Sequence, residues 1–112
     1  MTTINPSQLV PPLQLAATDA SVYSPVTPTA AQIGRAVFTN TTASAVTITA
    51  GITTGGALGA STTMISARSL APGESYVSPE LAGAVLPSGA QLHALASVAN
   101  SVTFTASGIL IQ

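Results

Sequence analysis

Formally charged side chains are scarce in this 112-residue chain, where two arginines and three carboxylates make up 4% of the residues. A free-standing soluble domain usually carries about a quarter charged residues, and charged surfaces keep small monomers apart in solution. The surface must therefore be solvated by Ser, Thr, Asn and Gln, or be covered by neighbouring subunits. The second alternative predicts a component of a larger assembly.

Cysteine and tryptophan are absent. The lack of cysteine excludes disulfides, thiolate metal sites and thiol redox chemistry. The net charge of −1 offers no basic surface, whereas nucleic-acid binding depends on several Lys or Arg side chains that neutralise phosphates. We also expect no membrane span, because no apolar run approaches about 18 residues, and no secretory signal, because the first residues lack a charged start and an apolar middle.

The length suffices for one hydrophobic core. Residues 1–12 are polar and aperiodic and contain three prolines, which disfavour a helix or a central strand. We expect residues 1–12 to form an extended N-terminal arm and residues 13–112 to form a single domain. Ile4, Leu9 and Val10 are the apolar candidates for anchoring the arm on an adjacent subunit, so a chain lacking residues 1–12 should keep its fold and lose attachment.

Short runs rich in Val, Ile, Thr and aromatic residues alternate with clusters of Gly, Pro, Asn and Ser, which is typical of many short strands. Residues 45–53 show the pattern best, because every second residue is apolar. About seven or eight antiparallel strands follow, and we predict an all-β fold, a single β-sandwich or jelly-roll domain. The predicted strands are 13–23, 33–39, 45–53, 63–69, 74–78, 91–98 and 101–111.

Residues 53–62 hold three glycines and show no period, so we expect a mobile loop or one that orders against a partner. This loop lacks the lysine and the following Ser or Thr of a phosphate-binding loop.

Few side chains could carry chemistry. His93 is the only histidine and lies on the strand face opposite Leu92 and Ala94; a metal site or catalytic dyad needs further partners, so we interpret His93 as exposed or at an interface. Glu74 and Glu80 invite a general acid and base interpretation, but a glutamate that follows a Pro-Gly turn is simply solvated. We predict no enzyme activity, no metal site and no cofactor.

Arg35 and Arg68 lie on predicted strands. Two alternatives stay open: they pair with acids across a sheet or a subunit boundary, or they are edge-strand charges that block further strand pairing. Sugar-binding sandwiches use exposed aromatic faces. Only Tyr23 and Tyr76 are available for such a platform, because the two phenylalanines fall in core patterns.

Several segments resemble small structural proteins of tailed bacteriophage particles. Residues 38–48 run from a strand ending in Asn-Thr-Thr into a strand rich in Thr and Val, and residues 70–76 contain the turn Leu-Ala-Pro-Gly-Glu. In residues 86–92 a Gly opens a strand, and residues 102–109 are the fourth segment that carries the resemblance. The resemblance covers residue 15 to the C-terminus and implies a virion structural protein of the capsid-decoration, collar or tail-fibre type. It carries over no functional residues.

We therefore predict a capsid decoration (cement) protein that binds between coat subunits, located in the virion after synthesis in the host cytoplasm. The expected partners are further copies of the chain, with a trimer as the expected oligomer, and the major capsid protein or other virion proteins, without direct nucleic-acid or membrane contact. Alternatives are a collar, tail or fibre-base protein and a carbohydrate-binding module. The predicted partner-interface residues are Ile4, Leu9, Val10, Arg35, Arg68 and Tyr76.

Overall fold

The computed structural model describes residues 4–25, 30–59 and 61–111, without the side chains of residues 4 and 7. These ranges form nine β-strands and no α-helix, and they contain no helix long and apolar enough to span a membrane. The strands are β1 (Ile4–Gln14), β2 (Ser21–Tyr23), β3 (Ala30–Asn40), β4 (Val46–Thr53), β5 (Thr63–Leu70), β6 (Ser75–Val77), β7 (Val85–Leu86), β8 (Gln91–Ala96) and β9 (Val102–Ile111).

The strands form two sheets that enclose one core. Sheet A has the order β1-β9-β3-β6, with β7 also paired to β3, and sheet B has the order β2-β8-β4-β5. Every pairing between these strands is antiparallel. The predicted all-β sandwich is confirmed.

The connectivity is that of a jelly roll. Four sets of pairings are nested along the chain: β1 with β9, β2 with β8, β3 with β6 and β7, and β4 with β5. Nested pairings describe one long antiparallel ribbon whose tip is the β4–β5 loop. Rolling this ribbon brings β9 against β3 and β8 against β4, which closes the two sheets over each other.

The core between the sheets is built from alternate residues. In β4, Val46, Ile48 and Ala50 are buried while the intervening threonines are partly exposed, as a period of two predicts. In sheet A the rings of Phe38 and Phe104, which are directly paired, have centroids 4.6 Å apart. Such aromatic pairs add about 0.5–1.5 kcal/mol to the free energy gained by burial alone.

The segment expected to be a free arm is an edge strand of sheet A. Residues 4–12 belong to β1, which pairs with β9 along its length, and residues 1–3 lie outside the described part. Leu9 and Val10 are buried in the chain's own core, with exposed fractions of 7% and 1%. They are therefore not free to anchor an adjacent subunit, and β1 crosses the expected domain boundary after residue 12. For Ile4 the structure gives only the backbone, which pairs with Ile111.

The prolines of this segment are compatible with an edge strand. An edge strand leaves one row of backbone N–H groups outside the ladder, and proline is found on such strands and at bulges. The β1–β9 register shifts twice, between Ser7 and Val10 and again between Val10 and Leu13. The proline content argued correctly against a central strand, but it did not prevent pairing.

The other predicted strands match β3, β4, β5, β6, β8 and β9 to within a few residues. The predicted strand 13–23 spans the end of β1, a loop and the short β2, and the two-residue β7 was not predicted.

Candidate functional site

The outer faces of the sheets carry mainly hydroxyl and small side chains. On sheet A, Thr105 and Ser107 of β9 lie opposite Val37 and Arg35 of β3. On sheet B, Thr47 and Thr49 alternate with core residues of β4. Most ionisable side chains lie in two compact groups, one at an edge of the sandwich and one under the loops that cover part of the outer face of sheet B.

The first group, called the edge cluster, consists of Arg68, Tyr76, Ser78 and Glu80. Arg68 lies on β5, the last strand of sheet B, and Tyr76 lies on β6, the last strand of sheet A. The guanidinium carbon of Arg68 is 4.0 Å from the centre of the Tyr76 ring. The Tyr76 hydroxyl donates to Glu80 Oε1 at 2.5 Å and the Ser78 hydroxyl donates to the same oxygen at 3.2 Å. The edge cluster thus joins the two sheets where the sandwich is open.

A β-bulge in β5 directs Arg68 toward the opposite sheet. Arg68 pairs with Ile48, whereas the next registered pair is Ile65 with Ala50, so β5 contains an extra residue, and Ala67 adopts a left-handed φ of 47°. Because Ile48 faces the core, its cross-strand partner Arg68 shares the inward face. An inward-pointing charge on an edge strand opposes pairing with the strand of another molecule.

The pKa values of both proton-donating groups of the edge cluster, the Tyr76 phenol and the Glu80 carboxyl, differ from their usual values. The hydrogen bond from Tyr76 holds the pKa of Glu80 below its usual value of 4.5. Burial, together with the hydrogen bond to Glu80, raises the pKa of Tyr76 above its usual value of 10.0. At neutral pH the phenol is therefore protonated and the carboxylate ionised, which is a stable structural contact and not an acid and base poised to exchange a proton.

The second group, called the loop clamp, consists of Asp19, Leu58, Gln91 and His93. His93 Nδ1 donates to Asp19 Oδ1 at 2.7 Å, and the Leu58 backbone amide donates to Asp19 Oδ2 at 2.9 Å. His93 Nε2 lies 2.9 Å from the Gln91 side-chain oxygen. The clamp therefore ties the β1–β2 loop and the β4–β5 loop to strand β8.

The loop clamp corrects the interpretation of His93 as exposed. His93 does lie on the outer face of sheet B, paired with Gly51, but its exposed fraction is only 7%. The β4–β5 loop folds back over this face, and a Cβ built on Gly51 would lie 2.8 Å from the Leu58 side chain. The glycine-rich loop is thus held, in its part up to residue 59, by the chain itself.

Among the residues that the structure describes, the Asp19–His93 pair has no hydroxyl partner of the kind that nucleophilic catalysis requires. In a Ser–His–Asp arrangement the second ring nitrogen bonds the attacking hydroxyl, whereas in this chain it faces the Gln91 amide. The hydrogen bond from Leu58, then that from His93, lowers the pKa of Asp19 below 3.8, so Asp19 is a stable anion. In the described ranges no three His, Asp or Glu side chains lie close enough to hold a metal ion.

The two glutamates have separate roles. Glu74 accepts a hydrogen bond from the Ala71 backbone amide at 2.7 Å and closes the Leu-Ala-Pro-Gly-Glu turn, whereas Glu80 belongs to the edge cluster. The tyrosines are equally committed. Tyr23 is partly buried against the core, and the Tyr76 ring lies between Arg68 and Phe38. The Tyr76 ring therefore does not offer the free flat face that a sugar-binding platform needs.

Of the predicted interface residues, the structure brings together Arg68 and Tyr76 and leaves Arg35 apart on the outer face of sheet A. Contact of these three residues with a partner stays a prediction. Sequence reasoning missed Asp19, which is 74 residues from His93 along the chain. The pairing of Ser21 with His93 and the hydrogen bond from the Ala94 amide to the Ala20 carbonyl make them neighbours, and no sequence spacing signals these contacts.

No protein-family model and no curated protein matches this chain, but solved structures of infectious bursal disease virus do. A chain of the Gx strain structure is 14% identical with a TM-score of 0.54 and coverage of 99% of this chain and 31% of the viral one. A chain of the VP2 subviral particle is 16% identical with a TM-score of 0.54, and the match covers 98% of this chain and 32% of the viral one. A chain of the Gt strain structure is 15% identical with a TM-score of 0.53, and the match covers 98% of this chain and 31% of the viral one. This chain thus spans about a third of the length of those chains, and at these identities the similarity is one of fold.

Proposed function

We propose that the chain is a non-enzymatic structural component of a virus particle. The observation that carries the proposal is the jelly-roll fold, which is similar over nearly the whole chain to part of VP2 from a subviral particle. The side-chain geometry agrees with a structural role, because the ionisable groups of the edge cluster and the loop clamp contact one another and hold strands and loops in place.

The specific role that we propose is a capsid decoration (cement) protein of a tailed bacteriophage, bound between coat subunits as a homo-oligomer. The phage context is supported by the turn and strand segments that resemble phage structural proteins. A position at the collar, tail or fibre base uses the same type of fold and is distinguished by experiment.

The composition of the outer faces supports burial between subunits. Removing ions from water is costly unless each is paired, whereas Thr, Ser, Val and Ala faces can be covered at lower cost, and the centres of interfaces are depleted of charged residues. Within the described ranges, the outer face of sheet A near Val37 and Thr105 carries Arg35 as its formal charge.

The test combines the solution mass from light scattering with co-sedimentation on particles of the virus that encodes the chain, after removal of the endogenous protein. We expect a stable oligomer that binds heads at a saturating ratio and does not bind isolated tails. Binding to tails alone would replace the cement role by the tail or collar role. A monomer that sediments with neither heads nor tails would overturn the proposed function.

A further inference from the structure

Arg35 occupies a groove on the outer face of sheet A. The groove has a volume of about 300 Å³ and is lined by Arg35, Val37, Thr105, Ala106 and Ser107. Arg35 is exposed, and in the described part of the chain no Asp or Glu oxygen lies within 4.0 Å of its nitrogens. Arg68 also lacks an ion pair, but its guanidinium lies on the Tyr76 ring.

Apart from Arg35, the residues that line the groove are uncharged, and the β9 side of the groove is held by a side-chain hydrogen bond. The Thr105 hydroxyl donates to the Val10 carbonyl at 2.9 Å, which ties β9 to β1. The β3–β9 register shifts between Ile33 and Arg35, and such bulges bend a sheet and re-aim the adjacent side chain. The bulge thus places a guanidinium at one side of a preformed hollow between two strands.

The chemistry of the groove specifies its occupant. A guanidinium presents a planar set of donors that matches a carboxylate and can bind it through two hydrogen bonds. The carboxylates of a second copy already have internal partners, because Asp19 accepts through both oxygens in the loop clamp and Glu80 and Glu74 each accept through Oε1 in the edge cluster and in the Glu74 turn. A different protein can offer a carboxylate without such bonds.

We propose that this groove binds an aspartate or glutamate side chain of a different protein, the coat subunit next to it in the particle. The proposal rests on the proposed function for the identity of the partner. The complementarity itself, between a guanidinium without an acid and an incoming carboxylate, depends only on this chain.

The first test needs no particle. The chain has two arginines and no lysine, so its arginine Nε–H region in a ¹H–¹⁵N NMR spectrum contains two signals, which Arg35→Gln assigns. Titration with a hexaglutamate peptide should shift the Arg35 signal in a saturable way that 1 M NaCl abolishes by screening, while the Arg68 signal and a hexaglutamine titration show no change. Equal shifts of both signals, or none, would overturn the proposal.

The second test measures binding to particles by the wild type and by Arg35→Gln and Arg35→Lys, after confirming equal thermal midpoints. Arg35→Gln should weaken binding about tenfold or more, because a carboxylate is left unpaired in the interface. Arg35→Lys should be intermediate, since lysine cannot bind the carboxylate through a planar pair of donors. If wild type and Arg35→Gln bind alike, this inference fails and the proposed function stands; if the wild type does not bind, the proposed function fails.

Discussion

Asn40 is fully buried at the end of β3, where its side-chain amide joins three stretches of chain. Its Nδ2 lies 2.8 to 3.2 Å from the carbonyl oxygens of Ser44, Leu70 and Ala71, and its Oδ1 accepts from the backbone and hydroxyl of Thr42. The sequence predicted a polar turn after β3. It did not predict that the first residue of that turn is buried, because the turns that cover it come from a region 30 residues away.

Asn40→Asp tests the role of this amide. The substitution keeps the shape but replaces a donor by an oxygen that faces three carbonyl oxygens, so we expect the free energy of unfolding to fall by about 2–5 kcal/mol. Urea denaturation followed by circular dichroism measures the loss. Asn5→Asp makes the same chemical change at an exposed position of β1 and should alter the free energy by about 0.5 kcal/mol or less. Equal effects of the two substitutions would contradict the role assigned to Asn40.

The paired strands β3 and β9 approach each other so closely near the β3 bulge that one position of β9 requires glycine. A Cβ built on Gly108 would lie 2.0 Å from the Gln32 carbonyl oxygen and 2.9 Å from the Gly34 nitrogen. These are backbone atoms of the paired strand, so no side-chain rotation can relieve the contact. Gly108 is thus required by the close approach of two strands at the bulge.

Gly108→Ala should force these strands apart and lower the free energy of unfolding by about 3 kcal/mol, at the upper end of the cost of overpacking. Gly56→Ala is the matched control, because a Cβ there meets no atom within 4 Å and no positive φ is required; it should leave stability within about 0.5 kcal/mol of the wild type. Thermal and urea denaturation of both variants measure the difference. A Gly108→Ala protein as stable as Gly56→Ala would show that β3 and β9 do not approach this closely.

Strand β1 gives a prediction opposite to that of a free arm. Val10 is 1% exposed and Val77 is 48% exposed, so the same substitution to alanine has different costs at the two positions. Val10→Ala should lower the free energy of unfolding by about 2 kcal/mol through lost burial and a cavity, and Val77→Ala by about 0.5 kcal/mol or less. Deletion of residues 1–12 should abolish cooperative unfolding. If the chain without residues 1–12 were as stable as the wild type, the hypothesis that these residues form an arm outside the domain would be supported.

Most strands of this chain are predictable from a local sequence pattern. Residues 46–53 are recognisable as a strand from alternation alone, and the Pro-Gly turn at 72–73 marks the connection from β5 in sheet B to β6 in sheet A. Strand β1 carries no such pattern, and its prolines are tolerated because it is an edge strand. The strand that pairs with it, β9, lies at the other end of the chain. Long-range pairing of this kind is absent from any local window.

For the whole molecule, composition predicted scarce charge but not its placement. Four of the six ionisable Asp, Glu, Arg and His side chains belong to the edge cluster and the loop clamp. The edge cluster joins the two sheets at one edge, and the loop clamp holds two loops against the outer face of sheet B. Arg68 and Tyr76 were predicted as interface residues from their type. In this chain Arg68 lies on the Tyr76 ring, and the Tyr76 hydroxyl bonds Glu80. Both side chains therefore have a structural role within the chain itself.

The stability of the whole molecule should fall at both extremes of pH. Glu80 and Asp19 have lowered pKa values in the folded chain, so the unfolded chain binds protons first as the pH falls below 4.5 and 3.8, and the stability that these carboxylates contribute is lost as the pH passes through their folded pKa values. Tyr76 and Tyr23 have raised pKa values. The unfolded chain therefore loses these protons first above pH 10.0, and the contribution of both tyrosines, complete below that pH, is lost as the pH rises.

Thermal midpoints measured between about pH 2 and 11 test both limbs with a pair of matched variants. Tyr76→Phe removes the hydrogen-bond donor that lowers the pKa of Glu80, and it also removes a phenol whose pKa is raised. The decline of the thermal midpoint should therefore become shallower on both the acid and the alkaline side. Tyr23→Phe removes only a tyrosine whose pKa is raised by burial, so its acid limb should follow the wild type while its alkaline decline becomes shallower. If Tyr76→Phe leaves the acid limb unchanged, the hydrogen bond between Tyr76 and Glu80 does not stabilise the folded chain, and the two sheets are held together at this edge by the Arg68–Tyr76 contact and apolar packing alone.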